Sequence, residues 1–289
     1  MTSDVLNDSR VGRIVEMALM EDIGLGDVTS DAIVPETNLG KGEFLCKQEG
    51  VIAGLEIASL VFRYCDSSIT LSPAVHEGSV ARKGQVIATV DGNTRGILRG
   101  ERTALNFLQR MSGIASLTRQ YVDAVAATQA RITDTRKTAP GLRALDKLAV
   151  KAGGGVNHRF GLDDMVLIKD NHIVAAGGIP QAVDRCLQYL KNEGMDISVE
   201  VETKNLDEVE EALHCSGVKR IMLDNFGEVE MRKAVDLIAH RVEVEASGGI
   251  TLQNVRSVAG TGVDFISIGA LTHSVKALDI SLELVQTRA

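Results

Sequence analysis

The sequence predicts an α/β protein in two parts: an N-terminal α/β sandwich domain built on an antiparallel sheet, then an incomplete β/α barrel of the TIM type. Three observations carry this. Beyond about residue 112, apolar strand-like runs alternate with amphipathic helical spacing, and parallel strands require such crossovers. The last four strand ends fall at Glu202, Asp224, Ser247 and Gly269, a short repeat of about 22 residues, as in a barrel. Each strand also finishes in a polar residue or a glycine, and in a β/α barrel all carboxyl ends open on one face.

In the first part, taken as 1–112, Val11, Ile14, Val15, Ala18 and Leu19 have helical spacing. EDIGLGDVTSD follows as a loop rich in Gly, Asp and Ser. Strand-like runs then appear in GEFLCKQ, GVIAG, SITLSPAV and GQVIATVDG, punctuated by glycine. VHEGSVARKGQVIATVDG has the spacing of a lipoyl- or biotinyl-type hairpin, with Lys83 as the acceptor a carrier would need, although a basic turn is the better reading of ARKGQV. A helix beginning at ERTALN leads out of this domain.

In the second part, 113–274, the expected strands are 130–134, 164–169, 197–202, 219–224, 242–247 and 263–269. LDEVEEALHCSG and GEVEMRKAVDLIAH supply helical spacing between them. Six or seven strands fall short of eight, so the barrel is expected to be incomplete. The tail, 275–289, is expected to pack on the first domain.

Composition excludes several function classes. The net charge of −8 argues against nucleic acid as the main partner, and the absence of tryptophan removes a common stacking platform. No apolar run reaches the roughly 18 residues of a membrane span. The N-terminus carries acids and no unbroken apolar stretch, unlike a signal peptide. Cys46, Cys65, Cys186 and Cys215 are widely separated and read as reduced thiols of a cytoplasmic protein. Charge is distributed unevenly: Arg102 to Lys169 holds eleven Lys/Arg against five Asp/Glu, a local +6 that leaves −14 for the rest. A basic island in an acidic chain suits a small anionic ligand.

The motifs fall on strand ends. DTRKT (134–138) sets Arg136 and Lys137 beside Thr135, two cations aimed at a carboxylate or phosphate, and Pro140 fits the first turn of a following helix. GGGVNHRFG joins a glycine run, permitting close backbone approach, to His158 and Arg159. Lys169 ends DMVLIK, where position alone does not distinguish a phosphate-binding lysine from a Schiff-base lysine. Glu200 and Glu202 share one strand face, and Asp224 ends the next strand. Such carboxylates suit ribose hydroxyls or Mg2+, a metal arriving mainly on substrate phosphates; ion pairs to Lys204 or Lys219 are the structural alternative. SGGI and SIGALT place glycine turns after the last two strands, a phosphate signal when taken together.

GERTALN, DTRKTAPGLR, GGGVNHRFGL, LIKDNH, VEVE, IMLDNF, EASGGI and VDFISIGALT, in that order, resemble the quinolinate phosphoribosyltransferases over nearly the whole chain. The resemblance implies the type II phosphoribosyltransferase architecture and a dimer in which one sandwich covers the other subunit's barrel. It implies that Arg102 (from the partner subunit), Thr135, Arg136, Lys137, His158, Arg159 and Lys169 surround quinolinate. Glu200 and Asp224 would hold the ribose or its Mg2+, and Ser247, Gly248, Gly249, Gly269 and Ala270 the 5′-phosphate. Lys137, Lys169, Glu200 and Asp224 are the catalytic candidates. The rivals are a same-fold transferase acting on another ring acid, a Schiff-base aldolase using Lys169, and a carrier protein modified at Lys83.

Overall fold

The computed structural model describes residues 9–285. In chain order the elements are α1 (Ser9–Ile23), α2 (Val28–Ile33), β1 (Leu39–Cys46), β2 (Gly50–Val51), α3 (Leu55–Cys65), β3 (Thr70–Pro73), β4 (Val80–Ala81), β5 (Val86–Asn93) and α4 (Thr94–Val125). There follow β6 (Arg131–Thr133), α5 (Arg143–Ala152), β7 (Val166–Ile168), α6 (Asp170–Ala176), α7 (Ile179–Glu193), β8 (Val199–Thr203), α8 (Leu206–His214), β9 (Val218–Asp224), α9 (Glu228–Ile238), β10 (Glu243–Ser247), α10 (Val255–Ala259), β11 (Phe265–Ser267), α11 (Ala270–His273) and β12 (Ile280–Val285).

Two compact units result. Of the described residues, the first takes those up to Arg119, Thr138–Gly154 and those from Leu271 onward; the second takes Gln120–Lys137 and Gly155–Ala270. This division differs from a cut at 112/113. Helix α5 buries Leu145, Ala149 and Val150, and its Asp146 accepts two hydrogen bonds at 2.9 Å from Arg110 of α4, which ties it to the first unit.

The first unit contains an antiparallel sheet ordered β12-β1-β5-β3 and a separate β2-β4 pair. The tail strand β12 pairs with β1 from Lys41↔Val285 to Cys46↔Ile280. The carrier-type hairpin does not form, because β4 pairs with β2 while β5 pairs with β1 and β3. Glu77, from the same segment, instead accepts from the backbone N–H groups of Gly54 at 2.9 Å and Leu55 at 2.6 Å. It caps α3, whose N-cap glycine has no side chain to do so. EDIGLGDVTSD is not loop throughout: Asp27 accepts from Thr29 and Ser30 N–H at 3.2 and 3.0 Å and starts α2. Pro140 precedes α5 by a turn rather than entering it, since Gly141 adopts φ +80° and Leu142 is the N-cap.

Burial raises all four thiol pKa values, that of Cys65 to about 11. Alkylation by iodoacetamide at pH 8, followed by mass spectrometry, should therefore be slower at each cysteine than in the unfolded chain. Modification of Cys65 at the unfolded rate would contradict this.

The second unit is a six-stranded parallel sheet ordered β6-β11-β10-β9-β8-β7. Strands of sequential order close onto β6 through β11 and leave one seam between β6 and β7, so the barrel is incomplete. Among the described residues a single isolated bridge, Thr133↔Val156, enters beside β6. Registers such as Ser247↔Asp224 and Ser267↔Thr133 keep the carboxyl ends level. One face is aliphatic, with Val199, Val201, Ile221, Leu223, Val244, Ala246 and Ile266 buried. The other carries Glu200, Arg220, Glu245 and Ser267, an unusually charged lining.

Candidate active site at the strand ends

Because the six strands are parallel, the residues following each of them share one rim of the second unit. Thr135, Arg136 and Lys137 follow β6; Lys169 follows β7; Asp224 ends β9; Ser247 ends β10 and leads into Gly248 and Gly249; Gly269 and Ala270 follow β11. Thr135 Oγ1 accepts the Lys137 N–H at 3.0 Å, which sharpens that turn. Arg102 lies in the other unit, exposed on α4.

His158 and Arg159 sit in the loop that supplies the Thr133↔Val156 bridge, and both are buried. Asp134, fully buried at the end of β6, accepts the His158 backbone N–H at 2.8 Å. It thereby ties the Arg136 turn to the His158 loop. Arg159 Nη1 donates to the Met165 carbonyl at 2.9 Å. Burial and the nearby Arg136 lower the Arg159 pKa, an effect that the Glu200 and Asp164 carboxylates offset only in part. A cavity of about 340 Å3 opens beside Arg159, lined by Leu162, Ile168, His172, Arg185 and Cys186; it borders α6 and α7 and is not walled by the glycine turns.

The two glutamates of β8 part company. Glu202 pairs with Lys169 at 2.7 Å, and not with Lys204 or Lys219, the partners named in the structural alternative. Glu200 is fully buried and lies 3.2 Å from His158 Nε2; Glu245 Oε1 lies 3.5 Å from the same nitrogen. Burial pushes the imidazole pKa down, but the two carboxylates overcome it and bring it up to about 9. Burial and the proximity of Glu245 raise Glu200. Glu245 is held low despite burial by His158 and Arg220. Arg220 donates to Glu245 at 3.1 Å and Glu243 at 2.8 Å and lies over the Phe265 ring, 3.8 Å from its centroid.

Glu245 and Arg220 escaped the sequence reading. Their signal was available: VEVEAS alternates as VEVE does, so Glu243 and Glu245 share one strand face as Glu200 and Glu202 do, with Glu243 exposed and Glu245 buried. The glycine run is also not wholly a ligand approach. A Cβ on Gly153 would meet the Ala115 carbonyl and Thr118, so this glycine lets α5 end against α4.

Three side chains, His158, Glu200 and Glu245, have the mutual spacing of metal ligands, and Asp224 is not in that group. Asp224 is half-buried at the rim, with one oxygen accepting from Asn225 Nδ2 at 3.0 Å. Oxygen chemistry at the rim therefore fits Mg2+ at Asp224, whereas Glu200 is turned toward His158.

The glycine turns differ from each other. Gly248 has φ +94° and a Cβ there would collide with the Asn225 side chain; Gly249 has φ +61° and open space around it. Asn225 itself is left-handed, φ +58°, and its N–H donates to the Ser247 carbonyl at 2.8 Å.

Residues 27–112 match the family described as quinolinate phosphoribosyl transferase, N-terminal domain, and residues 114–283 its C-terminal domain. A chloroplastic nicotinate-nucleotide pyrophosphorylase [carboxylating] of Arabidopsis thaliana is 49% identical, across 94% of this chain and 82% of that protein. Quinolinate phosphoribosyltransferase [decarboxylating] 1b of Nicotiana tabacum is 47% identical, across 94% and 81%. The crystal structure of NadC from Streptococcus pyogenes superposes with a TM-score of 0.90 at 38% identity, covering 96% of this chain and 98% of that one.

Proposed function

The chain belongs to the quinolinate phosphoribosyltransferase family, and from that premise we propose that it joins quinolinate to phosphoribosyl pyrophosphate. The products are nicotinate mononucleotide, pyrophosphate and CO2, a step of de novo NAD biosynthesis. The observation that carries this reading is the single rim of parallel strand ends, where cations, an acid and glycine turns meet. A dicarboxylate and a polyphosphate repel each other, and concentrated cations offset that repulsion.

In this reading Arg136, Lys137, Arg159 and Lys169 receive the quinolinate carboxylates, with Thr135 shaping the turn and His158 holding the loop. Arg102, exposed on its helix, is contributed by the partner of a homodimer. Backbone N–H groups at Ser247, Gly248, Gly249, Gly269 and Ala270 take the 5′-phosphate. The ring nitrogen attacks ribose C1 as the C1–O bond to pyrophosphate breaks, and carboxylates such as Asp224 offset the positive charge developing there. Asp224 would help hold Mg2+ arriving with the substrate phosphates, and the metal would supply charge neutralisation there. The pyridinium then accepts the electron pair of the breaking C2–CO2 bond, and C2 takes a proton.

Lys137 and Lys169 are the proton-donor candidates. Replacing the true donor by alanine should lower kcat about a hundredfold while the other variant changes it little; stopped-flow or steady-state assays decide, and near-normal turnover in both excludes them. A Schiff-base aldolase is disfavoured, because Lys169 is half-exposed and ion-paired with Glu202.

Among the described residues no helix is long and apolar enough to cross a membrane. Relatives from Nicotiana and Arabidopsis are named mitochondrial or chloroplastic; for this chain we propose a cytoplasmic location, with four free cysteines as support for a reducing compartment. The functional test is incubation with quinolinate, phosphoribosyl pyrophosphate and Mg2+, following CO2 and pyrophosphate together. Stoichiometric release of both is expected. Release of pyrophosphate with nicotinic acid instead would point to a same-fold transferase for another ring acid.

A further inference from the structure

Glu245 is fully buried on β10, yet it belongs to none of the rim groups used above. Its surroundings are specific. One oxygen accepts from Arg220 Nη1 at 3.1 Å and the other faces His158 Nε2 at 3.5 Å. Arg220 is itself fixed by Glu243 and by the Phe265 ring, so Glu245 has a rigid counter-charge behind it.

His158 is gripped from every side. Its backbone N–H goes to Asp134, its Nδ1 accepts the Arg159 N–H at 2.8 Å, and its Nε2 lies between Glu200 and Glu245. With Nδ1 accepting the Arg159 N–H the neutral ring carries its proton on Nε2, and the cationic ring keeps that same Nε2–H, so in either charge state it points at the two carboxylates. That tautomer also argues against a metal at this cluster, since a ligating Nε2 would need its lone pair and Nδ1 would donate instead. Turning the ring over would set Cδ2 against the Arg159 N–H and Cε1 against the two buried carboxylates, so both sides would lose their polar partner. The ring therefore transmits position: carboxylates fix the imidazole, and the imidazole fixes the Arg159 N–H.

Resting on the functional reading above, we propose that Glu245 is a positioning residue which, through His158, sets where the Arg159 guanidinium meets a quinolinate carboxylate. Arg159 has a second tether at the Met165 carbonyl, so a displaced backbone would strain or break that bond and misplace the fork.

A double-mutant cycle tests this, using steady-state kinetics with quinolinate, phosphoribosyl pyrophosphate and Mg2+ on wild type, Glu245→Gln, His158→Ala and the double variant. Glu245→Gln should raise the quinolinate KM about tenfold, with kcat and the KM for phosphoribosyl pyrophosphate changed less than about threefold. In the His158→Ala background the same substitution should add less than about twofold, because its route of action is already cut. Fully multiplicative effects, an unchanged KM, or a loss confined to kcat would overturn the positioning role. If circular dichroism shows Glu245→Gln unfolded, the cycle is run with Glu245→Asp, which keeps the charge on a shorter arm, and the same non-additivity decides. Wild-type turnover with an additive cycle sinks this proposal alone; a wild type that forms no nicotinate mononucleotide sinks the functional reading beneath it.

Discussion

Replacing Arg159 by alanine is expected to lower kcat/KM for quinolinate about a thousandfold while leaving the KM for phosphoribosyl pyrophosphate within about threefold of wild type. A thousandfold corresponds to about 4 kcal/mol, inside the roughly 2–5 kcal/mol lost when one partner of a buried, hydrogen-bonded charge pair is truncated. Arg159 earns that rank by its setting. It is buried, anchored at Met165 and crowded by Arg136, so it gains most from an arriving carboxylate. Arg159→Lys should recover less than about tenfold, because an ammonium cannot hold both the Met165 carbonyl and a carboxylate in one plane. Equal losses for both substrates would mean that the loop had collapsed, not that a carboxylate contact had been removed.

Gly248→Ala is expected to reduce kcat/KM for phosphoribosyl pyrophosphate several hundredfold, and Gly249→Ala only about tenfold. Both glycines are left-handed, which costs an alanine about 1–2 kcal/mol. Only at Gly248 does the added methyl also run into Asn225, whose backbone nitrogen would lie 3.0 Å from it. Asn225 cannot retreat easily, since it is left-handed itself and bonded to the Ser247 carbonyl at 2.8 Å. The turn must open, and its N–H groups leave the phosphate. Substrate titrations on the two variants, with circular dichroism to verify folding, check the contrast. Equal effects at 248 and 249 would show that φ alone matters and that the Asn225 contact does not.

Much of this was legible in the chain. Each of the six barrel strands was signalled by an apolar run ending in a polar residue, and the rim followed from parallelism. What spacing could not convey was who meets whom across the sheet. Glu200 and Glu202 are equivalent by alternation, yet register and the incoming loop give one a buried histidine and the other a half-exposed lysine. Asp27 looked like one more loop residue because its helix is only six residues long and has little apolar periodicity to announce it. Gly153 looked like a ligand approach because a glycine records that something comes close without recording what.

The seam of the barrel has a consequence for behaviour in concentrated solution. An unclosed sheet normally offers strand-hungry borders to neighbouring molecules. Here both bordering strands are only three residues long, one flanked by the Val156 bridge and the other adjoining a Met165 carbonyl already occupied by Arg159. Short borders that are already engaged are among the devices by which an open sheet resists recruiting a foreign strand, and this barrel carries them at its seam.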